Sequence, residues 1–317
     1  MRYKKMGRTG LKVSELCLGC MTFGGQADEE TSFAIMNTAL EAGCNFFDTA
    51  NVYTEGRSEQ IVGRWLKGRR ESVILATKAR APVGKGPNDS GVSRKHIMRA
   101  VEDSLRRLQT DYIDLYQVHS WDPDTPIEET LRALDDLVRA GKVRYIGCSN
   151  FAAWQLCKAL WVSDARNLAR FDCLQPRYNL IFRDIEEELL PLCAAEGVGI
   201  IVYNPLAGGF LSGKYTRDQE PPGGTRFALR RDIYWKRYWH DRHFDAVDRL
   251  KEIASSHGKS IVPFAVAWTL RSPVVTAAIV GATSVAQLQE SLGGFGMSIG
   301  PEEMSACDEV WGFLRGR

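Results

Sequence analysis

"VILATKA" (residues 73–79), "SRKHIMRAVEDSLRRLQ" (93–109) and "YIDLYQVH" (112–119) follow one another along the chain and decide its architecture. The first and third are short apolar runs of strand length, while the second repeats apolar residues at helical spacing and opens on a serine cap. Near-continuous apolar strands joined through a helix require a parallel sheet covered on its outer face. The same type of run recurs as "ELCLGC" (15–20), "NFFDTA" (45–50), "VRYIGCSN" (143–150), "DCLQPRYN" (172–179), "GIIVYNP" (199–205) and "TAAIVGAT" (276–283). Amphipathic segments such as "SEQIVGRWLKG" and "IEETLRALDDLVRAGK" lie between them. Strand and helix alternating through eight units predict an α/β fold, the closed (β/α)8 TIM barrel.

A doubly wound open sheet is the competing architecture, and it wants a G-x-G-x-x-G turn opening a helix after an early strand. "LGCMTFGG" is glycine-rich but has the wrong spacing, and no helix opens directly on it. Residues 2–14, "RYKKMGRTGLKVS", read as an N-terminal β-hairpin that turns at Arg8–Gly10 and plugs the lower end of the barrel. "VAQLQESLGGF" and "PEEMSACDEVWGFL" read as C-terminal extra helices. No internal repeat or low-complexity linker divides the chain, so residues 1–317 read as a single barrel domain.

Composition narrows the function. Apolar residues make up 44% and charged residues 25%, as in an ordinary globular chain, and 41 basic against 39 acidic side chains leave a net charge of +2. That balance gives no footing for a polyanion, and no nucleic acid is expected as partner. The N-terminus lacks the apolar core of a signal peptide and no run approaches the length of a membrane span, so the expected location is cytoplasmic, with no membrane partner. The eight cysteines sit in apolar, strand-like surroundings, as reduced buried thiols do. Cys17 and Cys20 form a C-x-x-C with no second pair, so no metal site is expected there.

Chemistry in such barrels gathers where the strands end. Asp48 and Tyr53 follow the second barrel strand, Lys78 the third and His119 the fourth. Each has an ordinary explanation alone, Lys78 as a solvated strand end and His119 as a loop histidine. Together they suit one task. A phenol has an ordinary pKa of about 10 and is a poor acid at neutral pH. An adjacent ammonium stabilises its anion, and a carboxylate holds that ammonium in place. Such a set donates a proton to a carbonyl oxygen, with His119 adding a hydrogen bond to the same oxygen.

These residues, with "GRTGLKVSELCLGCMTFGG", "DTANVYTEGRSEQIVG", "HSWDPDTPIEETLRALDDLVRAGKVRYIGCSN" and "YNPLAGGFLSGKY", resemble the characteristic stretches of the aldo-keto reductases, in the same order over essentially the whole chain. The resemblance implies a (β/α)8 barrel, a nicotinamide cofactor as hydride source, Tyr53 as general acid, and Asp48, Lys78 and His119 as its catalytic partners. It implies that Ser149, Asn150 and Gln175 bind the nicotinamide carboxamide and that Tyr203 stacks on the ring. Met21, Thr22, Pro205, Leu206 and Gly281 fall at further cofactor-binding positions.

One branch of the family carries a lysine where this chain has Gly281 and an arginine near Gln287, and no Lys or Arg lies between Ser272 and Leu314 here. The branch that includes the potassium-channel β subunits is the more similar, and in it the cations come from the long seventh loop. Lys214 and Arg226 match those positions, with Thr283, Gln287 and Glu290 on the closing helix and Ser291 where an asparagine is usual. The implied cofactor is NADPH (NADP+), and the implied partner a small-molecule carbonyl substrate. A homo-oligomer is compatible with the chain. The alternative is an NADPH-binding regulatory subunit of a membrane protein, although the chain starts two residues before the hairpin and leaves no inactivating peptide. Phe23 and Trp121 read as walls of the substrate pocket. "RFALRRDIYWKRYWHDRHF" (226–244) reads as a lid over the mouth or as a solvated helix face, with base stacking the less favoured reading.

Overall fold

A computed structural model describes residues 1–316. Two short strands, β1 (Tyr3–Lys5) and β2 (Lys12–Ser14), pair antiparallel as the expected hairpin. The barrel then alternates β3 (Leu16–Gly19), α1 (Glu29–Glu41), β4 (Phe46–Asp48), α2 (Arg57–Leu66), β5 (Ile74–Ala79), α3 (Arg94–Leu108), β6 (Ile113–Val118) and α4 (Ile127–Arg139). It continues through β7 (Val143–Ser149), α5 (Ala153–Arg166), β8 (Phe171–Gln175), α6 (Leu189–Glu196) and β9 (Gly199–Tyr203). The long connection after β9 carries α7 (Arg226–Leu229), α8 (Arg231–Tyr238), α9 (Asp241–Ser256) and α10 (Ile261–Thr269) before the last strand, β10 (Val275–Gly281). Helices α11 (Val285–Leu292) and α12 (Pro301–Arg315) close the chain.

All eight barrel strands are parallel, and β10 pairs with β3 to close the cylinder, with Ala278 opposite Leu16 and Gly281 opposite Gly19. Two apolar layers hold it. Between strands and helices lies the larger core, which includes Phe47, Trp65, Leu134 and Trp268. Inside the barrel a smaller set, Cys17, Phe46, Ala76, Leu115, Cys173, Ile201 and Ala277, packs directly onto Met6 and Val13 of the hairpin. The hairpin is therefore the floor of the barrel. Its turn approaches β9 closely: Arg8 N–H donates to the Gly197 carbonyl at 2.8 Å, and a Cβ added at Gly7 would lie 2.3 Å from that same oxygen. Gly7 also has φ +53°, a conformation that only glycine adopts without strain.

Several strands end earlier than their apolar runs suggested, and two have a plain cause. β8 stops at Gln175 because Pro176 has no N–H for the ladder, and β9 stops at Tyr203 because Asn204 turns to φ +66°. The segment 226–244 is solvated on one side only, with Arg230, Arg231, Asp232 and Lys236 exposed. Phe227, Tyr234, Tyr238 and Phe244 are buried and pack with Phe210 and Tyr215, including ring pairs 4.7 and 4.8 Å apart. A hydrogen bond of 2.6 Å from Gln26 Nε2 to the Gly224 carbonyl ties this connection to the loop after β3. Among the described residues, no helix is long and apolar enough to cross a membrane.

Candidate active site

Backbone strain marks the rim. Of the eight non-glycine residues with positive φ, six lie in loops that follow barrel strands: Thr54, Glu55, Arg80, Asn150, Asn204 and Ala207. Such conformations persist only where surrounding structure holds them, and they cluster at functional sites.

Within that rim, Asp48 ends β4 and Lys78 lies on β5, both buried. The Lys78 ammonium donates to Asp48 Oδ1 at 2.5 Å, to the Thr49 carbonyl at 2.8 Å and to Tyr53 Oη at 3.3 Å. An ammonium has three hydrogens, so all of its donors are engaged. Burial alone would drain its charge, but the Asp48 carboxylate and Tyr53 outweigh burial and hold its pKa above the ordinary lysine range. Since Tyr53 Oη accepts from Lys78, the phenol's own hydrogen is left to point elsewhere. Burial raises the Tyr53 pKa, Lys78 opposes that rise, and Asp48 adds to it, with the net shift upward. The ammonium thus limits a penalty set by burial; it does not bring the phenol below its usual range. Tyr53 is protonated at neutral pH, as a donor must be.

His119 stands edge-on to Tyr53, with ring centroids 5.8 Å apart. Burial, then the charges of Lys78 and Arg80, push its pKa down to about 3, so the imidazole is neutral. Its Nδ1 is buried with no partner among the described residues, so Nε2 is the ring nitrogen left to meet a ligand.

The positions expected to meet a carboxamide form a connected set. Ser149 Oγ donates to the Gln175 carbonyl at 2.7 Å, and Asn150 Nδ2 donates to Ser149 Oγ and to the His119 carbonyl, both at 3.0 Å. Tyr203 Oη donates to Asn150 Oδ1 at 2.8 Å, which fixes the ring expected to stack on the nicotinamide. Gln175 turns its amide nitrogen inward, to Asp48 Oδ2 at 2.9 Å and to Gln117 Oε1 at 3.1 Å. Gln117 Nε2 also reaches Asp48 Oδ2, at 3.0 Å. Sequence reasoning passed over Gln117. The available signal was an amide inside a strand that, Asp114 apart, is apolar or aromatic, and the register places it opposite Lys78.

A second group assembles where β10 ends. Arg226 Nη1 donates to Tyr234 Oη at 3.1 Å and lies 3.9 Å from Met21 Sδ. A side chain added at Gly281 would meet the Arg226 guanidinium at 3.6 Å, so the glycine leaves room beneath that cation. Arg226 is half-buried and has no carboxylate partner among the described residues. Thr22 Oγ1 donates to the Ala282 carbonyl at 2.7 Å, and Gln287 Oε1 accepts from both the backbone N–H and the hydroxyl of Thr283, at 2.9 and 3.0 Å. Partial burial of its ammonium lowers the Lys214 pKa, and the charge of Glu290 opposes that shift. Ser291 Oγ donates to the Gln287 carbonyl at 3.0 Å, and Pro205 and Leu206 follow β9 on the same rim. An unpaired cation over a glycine, an open amide oxygen on Gln175 and a fixed aromatic ring suit the phosphate, carboxamide and ring of a nicotinamide dinucleotide.

Two expectations fail or shift. Phe23 is fully buried in the outer core, drawn inward by a turn in which its N–H donates to the Cys20 carbonyl at 3.1 Å, so it is no pocket wall. Trp121 is half-buried and packs edge-on against Phe151 and Trp154. Cys17 and Cys20 are both fully buried free thiols, and burial pushes both pKa values well above the ordinary range.

A closed parallel barrel whose rim gathers Asp48, Tyr53, Lys78 and His119 has the make-up of a barrel oxidoreductase. Residues 15–312 match the model of the Aldo/keto reductase family, and the chain belongs to that family. It is an NAD(P)H-dependent carbonyl oxidoreductase. The chain is 40% identical over 322 residues to "Uncharacterized oxidoreductase YrpG" of Bacillus subtilis, covering 98% of this chain and 96% of that protein. It is 40% identical over 298 residues to "Probable voltage-gated potassium channel subunit beta" of Oryza sativa, covering 92% and 90%. Similarity also extends to "Versiconal hemiacetal acetate reductase" of Aspergillus parasiticus, 33% identical over 98% of this chain and 97% of that protein.

Proposed function

We propose that the chain reduces an aldehyde or ketone to an alcohol with NADPH, and that Tyr53 supplies the proton. The supporting observation is the saturation of Lys78: with all three ammonium hydrogens engaged by Asp48, Thr49 and Tyr53, Tyr53 Oη accepts from Lys78 and keeps its own hydrogen to donate. When bound, the reduced nicotinamide supplies the hydride that the carbonyl carbon receives. Tyr53 gives its proton to the carbonyl oxygen, and Lys78 holds the resulting phenolate. His119, neutral and protonated on Nε2, donates a hydrogen bond to the same oxygen and orients it. Asp48 keeps Lys78 charged and in place. Ser149, Asn150 and Gln175 hold the carboxamide, Tyr203 lies against the ring, and Met21, Thr22, Pro205, Leu206, Gly281, Thr283, Gln287 and Glu290 line the remainder of the cofactor.

Loss of NADPH absorbance against a panel of aldehydes, quinones, diketones and sugars tests this reading directly. Turnover of at least one class is expected. A protein that binds NADPH and turns over none of them is instead explained by the second reading, a cofactor-binding regulatory subunit, which the similarity to channel β subunits favours.

The preference for NADPH over NADH rests on Arg226, whose guanidinium matches a phosphate monoester in geometry and charge. Arg226→Ala is expected to weaken NADPH by about 10- to 100-fold and NADH hardly at all, from the loss of one charge-assisted contact. Lys214→Ala tests the second cation in the same way. Fluorescence titration with both cofactors reads each ratio, and equal losses for NADH and NADPH in Arg226→Ala would remove the 2′-phosphate from that residue's role.

A further inference from the structure

Arg80 follows β5 directly, two residues beyond Lys78. Ile74, Ala76 and Lys78 of that strand turn to the inside of the barrel, so alternation along the chain puts Arg80 on the same side, at the mouth. Its charge accordingly bears on the His119 ring. The backbone there is strained, with φ +148°, a region that residues carrying a side chain rarely adopt. Gly91 N–H holds it by donating to the Arg80 carbonyl at 2.9 Å, and His119 N–H donates to the Ala79 carbonyl at 3.0 Å.

The fold makes no use of the cation so presented. Arg80 is half-buried, its Nε is buried without a hydrogen-bond partner, and no carboxylate among the described residues forms an ion pair with it. Asp122 feels the charge, but its oxygens are already met by the Val92 and Asp124 N–H groups at 2.9 and 3.2 Å and by the Thr125 hydroxyl at 2.9 Å. A buried charged donor left unmet is costly, and one kept at the mouth of a site calls for an acceptor that arrives from outside. The other arginines about the mouth are placed differently. Arg226 stands over Gly281, Arg177 lies 3.3 Å from the centre of the Phe182 ring, and Arg177 and Arg237 bear on Tyr203, the ring assigned to the cofactor. Arg80 instead stands beside the residue assigned to the carbonyl oxygen.

We propose that Arg80 sets the substrate class, pairing with a carboxylate carried by the carbonyl compound, so that the chain reduces oxo acids in preference to neutral aldehydes and ketones. The inference rests on the reductase reading above and adds the charge of the substrate to it. A guanidinium offers two parallel N–H groups to a carboxylate, so one side chain fixes both the charge and the orientation of the bound acid. The carbonyl carbon receives the hydride and its oxygen the Tyr53 proton as for a neutral substrate, and the product is a hydroxy acid whose carboxylate is unchanged.

The test compares pyruvate, 3-carboxybenzaldehyde and 4-carboxybenzaldehyde, each with its primary amide, which has nearly the same shape and no charge. The three differ in the distance from carboxylate to carbonyl. The readout is the ratio of kcat/KM, acid over amide, followed by loss of NADPH absorbance. Wild type is expected to favour the acid by at least about tenfold in at least one pair, the effect of one charge-assisted contact. In Arg80→Met the ratio for that pair is expected to fall by about the same factor, and in Arg80→Glu to fall further and favour the amide. If Arg80→Met does not fold, Arg80→Gln, which removes the charge and keeps a polar end, gives the same readout. Damage to the proton donor or to cofactor binding slows acid and amide alike, so an unchanged ratio in a folded variant overturns the role of Arg80. Turnover of neutral carbonyls with no preference for the acid in any pair overturns this inference and leaves the reductase reading standing. Turnover of no carbonyl at all overturns both.

Discussion

Tyr53→Phe is expected to lose about 10²- to 10⁴-fold in kcat for carbonyl reduction while its NADPH affinity stays close to wild type. The substitution removes the one hydrogen that Lys78 leaves free and keeps the ring in place. Lys78 retains Asp48 and the Thr49 carbonyl, so the buried charge pair survives and the fold with it. Single-turnover reduction with bound cofactor isolates the step. A variant that keeps most of its single-turnover rate would show that the proton comes from another group.

Lys78→Met carries the second large effect, and its signature lies in the pH profile. Below its pKa Tyr53 holds the proton it must donate, so reduction runs flat through neutral pH and declines on the alkaline side as the phenol ionises. His119 adds no inflection between pH 5 and 8, because its pKa lies at about 3. Lys78 pulls the phenol's pKa down against burial. Removing the ammonium therefore moves the alkaline limb to higher pH and weakens the acid at every pH below it. Residual activity that kept the wild-type limb would show that Lys78 does not tune the donor. The substitution also leaves Asp48 buried without its cation, a change that destabilises by about 3–5 kcal/mol where it has been measured. The paired variant Asp48→Asn with Lys78→Met removes both charges, and is expected to recover thermal stability without recovering turnover.

The barrel was legible because its strands are buried on both faces and so appear as unbroken apolar runs; "VILATKA" differs from β5 by one residue at its start. The four site residues were legible for a related reason, since they stand at or near the ends of three successive strands, Asp48 and Tyr53 at the first of them, Lys78 and His119 at the next two. Other features depend on register and packing, which have no local mark in a sequence. Gln117 stands opposite Lys78 only because β5 and β6 align that way, and Gln175 meets Asp48 across the barrel although the two are 127 residues apart. Phe23, next to two glycines, has the local look of a rim residue, and a turn one hydrogen bond wide sends it into the core instead. The segment 226–244 was ambiguous because alternating arginines and aromatics have no single period. Tertiary packing resolved it by burying the rings on one another.

The hairpin floor has a consequence for proton supply. With Met6 and Val13 sealing one end, and thiols and hydrocarbon below Asp48, the barrel is a blind well with a single opening. If Tyr53 donates the proton as proposed, its resupply is expected from the rim, where substrate and cofactor would also bind. Reprotonation is then expected to follow product release, one proton for each turnover.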